Sequence, residues 1–88
     1  MKVVRLEREE SVFEYELEGE ILYTYYYWKG WNGQELFPKE AIINTTQWLP
    51  KEEFLRVREK AKQKGFKQIQ VVKQKPEYFR ERVKEIFG

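Results

Sequence analysis

Residues 2–28 read as strands, and in two stretches of them apolar and polar residues alternate with a period of two, the pattern of a strand whose two faces meet different surroundings. Val4 and Leu6 alternate with Arg5 and Glu7, and Phe13, Tyr15 and Leu17 alternate with Glu14, Glu16 and Glu18. Gly19 interrupts the pattern, and Ile21 to Trp28 follows as the next run. A three-residue loop, Glu18-Gly19-Glu20, would set Leu17 opposite Ile21, Tyr15 opposite Tyr23 and Phe13 opposite Tyr25. That register gathers the apolar side chains on one face, and register follows the buried face. Asn32-Gly33 is the clearest turn signal, because a type I′ turn needs positive φ at both central residues. It would pair Trp31 with Gln34 and Trp28 with Phe37, giving third and fourth strands over 20–31 and 34–37.

Residues 38–49 allow two readings. Pro38-Lys39-Glu40 suits a first helical turn, where the missing N–H costs nothing and Glu meets the positive end. Ala41-Ile42-Ile43 and Thr45-Thr46 favour β structure instead. The expectation is a helical turn followed by extended chain to Leu49, with strand as the other reading.

Beyond Pro50 the period lengthens to that of a helix. Pro50 to Lys64 reads as a helix stopped by Gly65, with Phe54, Val57 and Ala61 on one stripe and Leu55 widening it. Phe66 to Lys73 reads as a strand with Ile69 and Val71 on one side. Pro76 opens a second helix whose Phe79, Val83, Ile86 and Phe87 form a core-facing stripe. The order predicts one compact α+β domain over 1–88. It is a four-stranded antiparallel β-meander followed by helix–strand–helix, with the helices packed on one face of the sheet.

Composition narrows the chemistry more than the fold. The 88 residues leave room for one small core. There is no Cys, which excludes a disulfide scaffold and thiolate metal sites. There is no His, the commonest general base. All 15 acidic residues are Glu, and Ser11, the one serine, has no imidazole to activate it. Glu pairs and Lys, Arg or Tyr chemistry are what remains. The expectation is therefore a non-enzymatic protein without cofactor or metal, a metal-free nuclease being the residual enzymatic reading. Glu14, Glu16 and Glu18 stand roughly 6.5–7 Å apart on one strand face. With nothing to suggest burial, they read as an exposed face that resists aggregation. No apolar run approaches the roughly 18–20 residues that span a bilayer, and Met1 to Glu7 lacks a signal-peptide core. A cytoplasmic protein without a membrane partner is expected. Enrichment in Lys and Glu is a trend of proteins from hot environments, against which the six Gln residues count.

Charge and aromatics are unevenly spread, and they carry the functional reading. Residues 1–49 have a net charge of −4 and residues 50–88 of +6. Within 56–75 eight basic residues face Glu59 alone, so this segment is the one that would attract phosphates. Arg56, Lys60 and Lys64 form an i, i+4, i+8 row; Lys67, Lys73 and Lys75 continue the charge. Arg58 and Lys62 flank Phe54 and Leu55, where their apolar stems would cover the core edge while their heads reach water. Residues 23–37 hold seven aromatics, too many for one strand face. Alternation sends Tyr23, Tyr25 and Tyr27 to one side, and Tyr26 and Trp28 to the other. The leading expectation is a module that contacts nucleic acid, RNA or DNA, through Arg56, Lys60, Lys64, Lys67, Lys73 and Lys75. Exposed members of Tyr26, Trp28 and Trp31 would stack on bases. Trp31, at the hairpin end, is expected at the surface. The competing expectation is a protein–protein interaction or self-associating module, a homodimer for instance. It would use the opposite charge halves, with Trp31 or Trp48 as anchors. The two part on whether the exposed aromatics lie beside the basic helix.

Overall fold

The computed structural model describes residues 1–29 and 35–88, with side chains for 1–29 and 39–88. One sheet holds β1 (Lys2–Glu7), β2 (Ser11–Glu18), β3 (Ile21–Lys29), β4 (Glu35–Thr45) and β5 (Gln68–Lys73), in that spatial order. Helix α1 (Lys51–Gln63) joins β4 to β5, and α2 (Pro76–Phe87) ends the described chain. Strands β1 to β4 form an antiparallel meander, and β5 lies parallel to β4. The sheet is thus five-stranded and mixed, not four-stranded and antiparallel. The connection is the reason: a strand reached through a helical crossover returns parallel to the one before it.

The helices pack on opposite faces rather than on one, and β3 is the cause. Its Ile21, Tyr23 and Tyr25 gather with Ala41, Ile43 and Phe66 beneath Val57 and Ala61 of α1. Its Leu22 gathers with Tyr15 beneath Phe79 of α2, with Val4, Leu17 and Val83 packed around them. A central strand that is apolar on both sides needs cover on both.

The β2–β3 hairpin turns on two residues, not three. Glu18 pairs with Ile21, Leu17 with Leu22, Tyr15 with Thr24 and Phe13 with Tyr26. Gly19 has φ 59° and, among the described residues, no non-glycine residue has positive φ, as a type II′ turn requires. Because both faces of β3 are buried, gathering apolar side chains on one face does not choose the register. The shift by one residue puts Tyr23 and Tyr25 on the same face as Glu14 and Glu16.

Residues 38–45 take the strand reading, and no helical turn forms at Pro38-Lys39-Glu40. The ladder shifts register between Tyr26 and Trp28, so that Tyr26 pairs with Glu40 and Trp28 with Leu36 rather than Phe37. Pro38 falls within this irregularity, where its missing N–H breaks no regular bond. The expected Asn32-Gly33 turn and Trp31 lie outside the described residues.

Helix α2 follows its periodicity, and α1 follows it only in part, since Phe54 and Leu55 of its expected stripe are not buried. Lys64 caps α1, Gly65 follows with φ 93°, and Pro76 begins α2. Val57 and Ala61 are buried, while Phe54 and Leu55 stay exposed. The Arg58 guanidinium lies over the Phe54 ring at 5.6 Å, so its stem does run along this edge. Among the described residues no helix is long and apolar enough to cross a membrane.

Candidate functional site

The basic row of α1 sits on the acidic row of β2. Successive cations at i and i+4 on a helix are about 6.0 Å apart along its axis. Successive carboxylates at i and i+2 on a strand are about 6.6–6.8 Å apart. The two spacings nearly match, so the rows pair in order. Arg56 Nη2 lies 2.9 Å from Glu18 Oε1. Lys60 Nζ lies 3.1 Å from Glu16 Oε2 and 3.3 Å from Glu18 Oε2. Lys64 Nζ donates to Glu16 Oε1 at 2.6 Å and also to Glu14 Oε1. Beneath them Lys60 Nζ lies 4.3 Å from the Tyr23 ring centroid, and Lys64 Nζ 4.4 Å from that of Tyr25. Each ammonium is thus held between carboxylates and an aromatic face, an arrangement strengthened by partial desolvation.

The electrostatics follow from this packing. Burial pushes the Glu16 carboxyl up, but the hydrogen bond from Lys64 and the nearby charge of Lys60 outweigh it and hold the group below its usual range. Glu18 is lowered in the same way, burial being overcome by Lys60 and Arg56. Burial opposes the charge of Lys64, and its bonds to Glu14 and Glu16 raise it nonetheless. Lys60 reaches Glu16 Oε2 as an ion pair without hydrogen-bond geometry, so that oxygen has no hydrogen-bond partner. Among the described residues no cluster of carboxylates is arranged to hold a metal; ammonium groups occupy the Glu14, Glu16 and Glu18 row.

Of the residues expected to meet nucleic acid, Arg56, Lys60 and Lys64 are brought together, and their charge is answered within the chain. Lys67 precedes β5 at the opposite end from Lys73. Lys73 lies over the exposed Trp48 ring at 5.7 Å, and Lys75 over the exposed Tyr78 ring at 6.0 Å. Tyr26 and Trp28 lie on the other face of the sheet, away from α1. Among the described residues, Tyr26 and Trp28 therefore do not share a surface with Arg56, Lys60 and Lys64.

On that other face α2 covers Val4, Tyr15, Leu17 and Leu22, and leaves the opposite end of the strands open. Beyond this cluster lie Leu6, Tyr26 and Trp28, with Phe13 at its border, partly buried and stacked on Tyr15 at 6.2 Å between centroids. Leu6 pairs with Phe13, and Phe13 with Tyr26, so the three run straight across β1, β2 and β3. Phe13 and Tyr26 pack at 4.6 Å between centroids, and Trp28 meets Tyr26 edge-on at 5.9 Å. Leu6 and Trp28, each the penultimate residue of its strand, are 47% and 45% exposed. Thr24, Ile42, Gln68 and Gln70 share this face by alternation. Glu40 is its one charged strand residue near the aromatic row among the described residues. At the border with α2, Arg82 is paired with Glu85.

Sequence reasoning named Tyr26 and Trp28 but not Leu6 and Phe13, whose periodicity reads as core. It named both charged rows without joining them. The matching helix and strand spacings were the available signal. No protein family matches this chain, and no curated protein or solved structure shows significant similarity to it.

Proposed function

We propose that this chain is a non-enzymatic protein-interaction module whose partner surface is the open half of the sheet, centred on Leu6, Phe13, Tyr26 and Trp28. One observation carries the reading. In a chain with 36% charged residues, this patch is aromatic and nearly uncharged among the described residues. Interface cores are depleted in Lys and Glu and enriched in Tyr, Trp and Phe. A surface that stacks bases needs cations tracking the phosphates beside its rings. Here Arg56, Lys60 and Lys64 lie on the far face, engaged with Glu14, Glu16 and Glu18. The partner assigned is a second copy of the chain. Two sheet faces packed about 10 Å apart in an isologous dimer would cover both copies of Trp28 and Leu6.

Sedimentation velocity over a wide concentration range tests this. The wild type should pass from monomer to dimer. Trp28→Glu should remain monomeric, with stability changed by no more than about 1 kcal/mol, as is usual at an exposed site. A wild type that is monomeric at every concentration removes self-association. Binding of single-stranded RNA or DNA that weakens steeply with salt, and is lost in Trp28→Ala, would return this surface to nucleic acid.

A further inference from the structure

A groove of about 440 Å³ runs between α2 and the β2–β3 turn, apart from the open half of the sheet. Its volume lies within the roughly 300–1,000 Å³ of small-molecule sites. Leu17, Phe79, Val83 and Phe87 form its apolar lining. The α2 residues facing it recur at intervals of three and four from Pro76 to Phe87. It therefore follows one helix stripe along an element about 18 Å long.

Three cations stand around this apolar lining: Lys2, Arg80 and Lys84. Arg5, Lys29, Arg56, Lys60, Lys64 and Arg82 each have a carboxylate within 4.0 Å. Lys2, Arg80 and Lys84 have none among the described residues; Arg8, Lys51, Arg58, Lys62, Lys73 and Lys75 have none either, and what sets the three apart is that they line one apolar groove. Arg80 and Lys84 are also i, i+4 neighbours on α2, with Glu77 and Glu81 three residues before each but not within 4.0 Å. Glu20 is the one acidic side chain lining the groove, and its carboxylate accepts a hydrogen bond from the Thr46 hydroxyl at 2.6 Å. An apolar trough beside unanswered cations is complementary to an amphiphile with an anionic head.

We propose that this groove binds a single acyl chain bearing a carboxylate or phosphate. The chain lies along α2 over Leu17, Val83 and Phe87, and the head group sits between Arg80 and Lys84, within reach of Lys2. A free fatty acid and a lysophospholipid offer this same chemistry, and the experiment separates them.

The test titrates the ¹⁵N-labelled full chain, below micelle-forming concentrations, with decanoate, dodecanoate, lysophosphatidic acid and uncharged methyl dodecanoate. Amide shifts should concentrate at Gly19, Val83 and Phe87. Each added methylene should tighten binding about fourfold, the affinity equivalent of burying one such group. Arg80→Gln and Lys84→Gln should each weaken dodecanoate binding about tenfold, as loss of a charge-assisted bond does, with melting temperature unchanged. Lys62→Gln on α1 should leave binding unaltered. Tighter binding of lysophosphatidic acid carrying a dodecanoyl chain than of dodecanoate assigns a phospholipid source, and the reverse order a free acid. Methyl dodecanoate binding as tightly as dodecanoate overturns the proposal. So does an Arg80→Gln/Lys84→Gln double variant that binds like the wild type. Shifts confined to Tyr26 and Trp28 overturn it as well, and point to the open sheet face instead.

Discussion

Tyr25→Ala is expected to lower the free energy of unfolding by about 3–5 kcal/mol, the usual cost of removing a large buried ring. Tyr25→Phe is expected to raise it by about 1 kcal/mol. Tyr25 is 1% exposed, stacked on Tyr23 at 6.0 Å and tilted on Phe66 at 4.9 Å, with the Lys64 ammonium above it. Truncation to alanine opens a cavity between sheet and α1 and removes the aromatic seat of Lys64. At about 4–8 °C per kcal/mol for a domain of this size, the alanine variant should melt roughly 15–30 °C lower. The phenylalanine variant keeps the ring and loses a buried hydroxyl that has no hydrogen-bond partner, a group whose burial costs about 1–3 kcal/mol. Burial also raises the Tyr25 phenol above its ordinary value of 10.0 and pushes Tyr23 up to about 12. A raised phenol contributes stability that is whole below pH 10 and is lost as pH rises beyond it. Tyr25→Phe should therefore lose less stability than the wild type between pH 10 and 12. Urea unfolding at pH 7 and across that range measures both effects. A loss of more than 1 kcal/mol in Tyr25→Phe at pH 7 would mean that the hydroxyl is bonded in the folded protein.

Strands β1 and β2 and helix α2 were legible because each carries a clear period, β3 because it is a β-branched and aromatic run between turn residues, and α1 from its Pro50 start and Gly65 stop. The register of β2 against β3 was not. Tyr23 and Tyr25 on one side and Leu22 on the other are all core, so apolar matching gives no preference between neighbouring registers. The parallel edge was obscured by one local choice. With Ala41 to Thr45 read as strand, β4, α1 and β5 form a βαβ unit, and a parallel β5 follows. The proline at 38 argued for a helix start on local grounds, and pairing of β4 between β3 and β5 overrode it. The candidate surface was half legible. Tyr26 and Trp28 were separable from Tyr23 and Tyr25 by alternation alone. That α2 would stop short of Leu6 depends on where the helix crosses the sheet, which the sequence pattern does not encode. The charged rows were both plain, and each alone has the look of a solvated face.

That pairing of rows sets the acid stability of the protein. Glu16→Gln is expected to cost about 2 kcal/mol, and Glu18→Gln less than about 1 kcal/mol, although the two carboxylates stand on the same strand face. Glu16 is buried, and both of its oxygens face ammonium groups that are themselves mostly covered. Breaking a fully buried ion pair costs about 3–5 kcal/mol. The smaller figure applies here because Lys60 and Lys64 keep some hydration and retain Glu18 and Glu14 as partners. Glu18 is more open to solvent, where such pairs contribute about 0.2–1 kcal/mol and weaken with salt. Both carboxyls are held below their ordinary value of 4.5. Their contribution is therefore whole above pH 4.5 and is lost as pH falls below it, while the folded state resists taking up the proton. Glu16→Gln should flatten the fall in stability between pH 5 and 3, and 1 M salt should erase the effect of Glu18→Gln before that of Glu16→Gln. A double-mutant cycle between Glu16→Gln and Lys64→Gln isolates the pair, with an expected coupling of about 1 kcal/mol or more. Coupling near zero would mean that Val57 and Ala61 alone hold α1 to the sheet. The basic row would then be free to exchange Glu14, Glu16 and Glu18 for an external anion, and the nucleic-acid reading of Arg56, Lys60 and Lys64 would regain its footing.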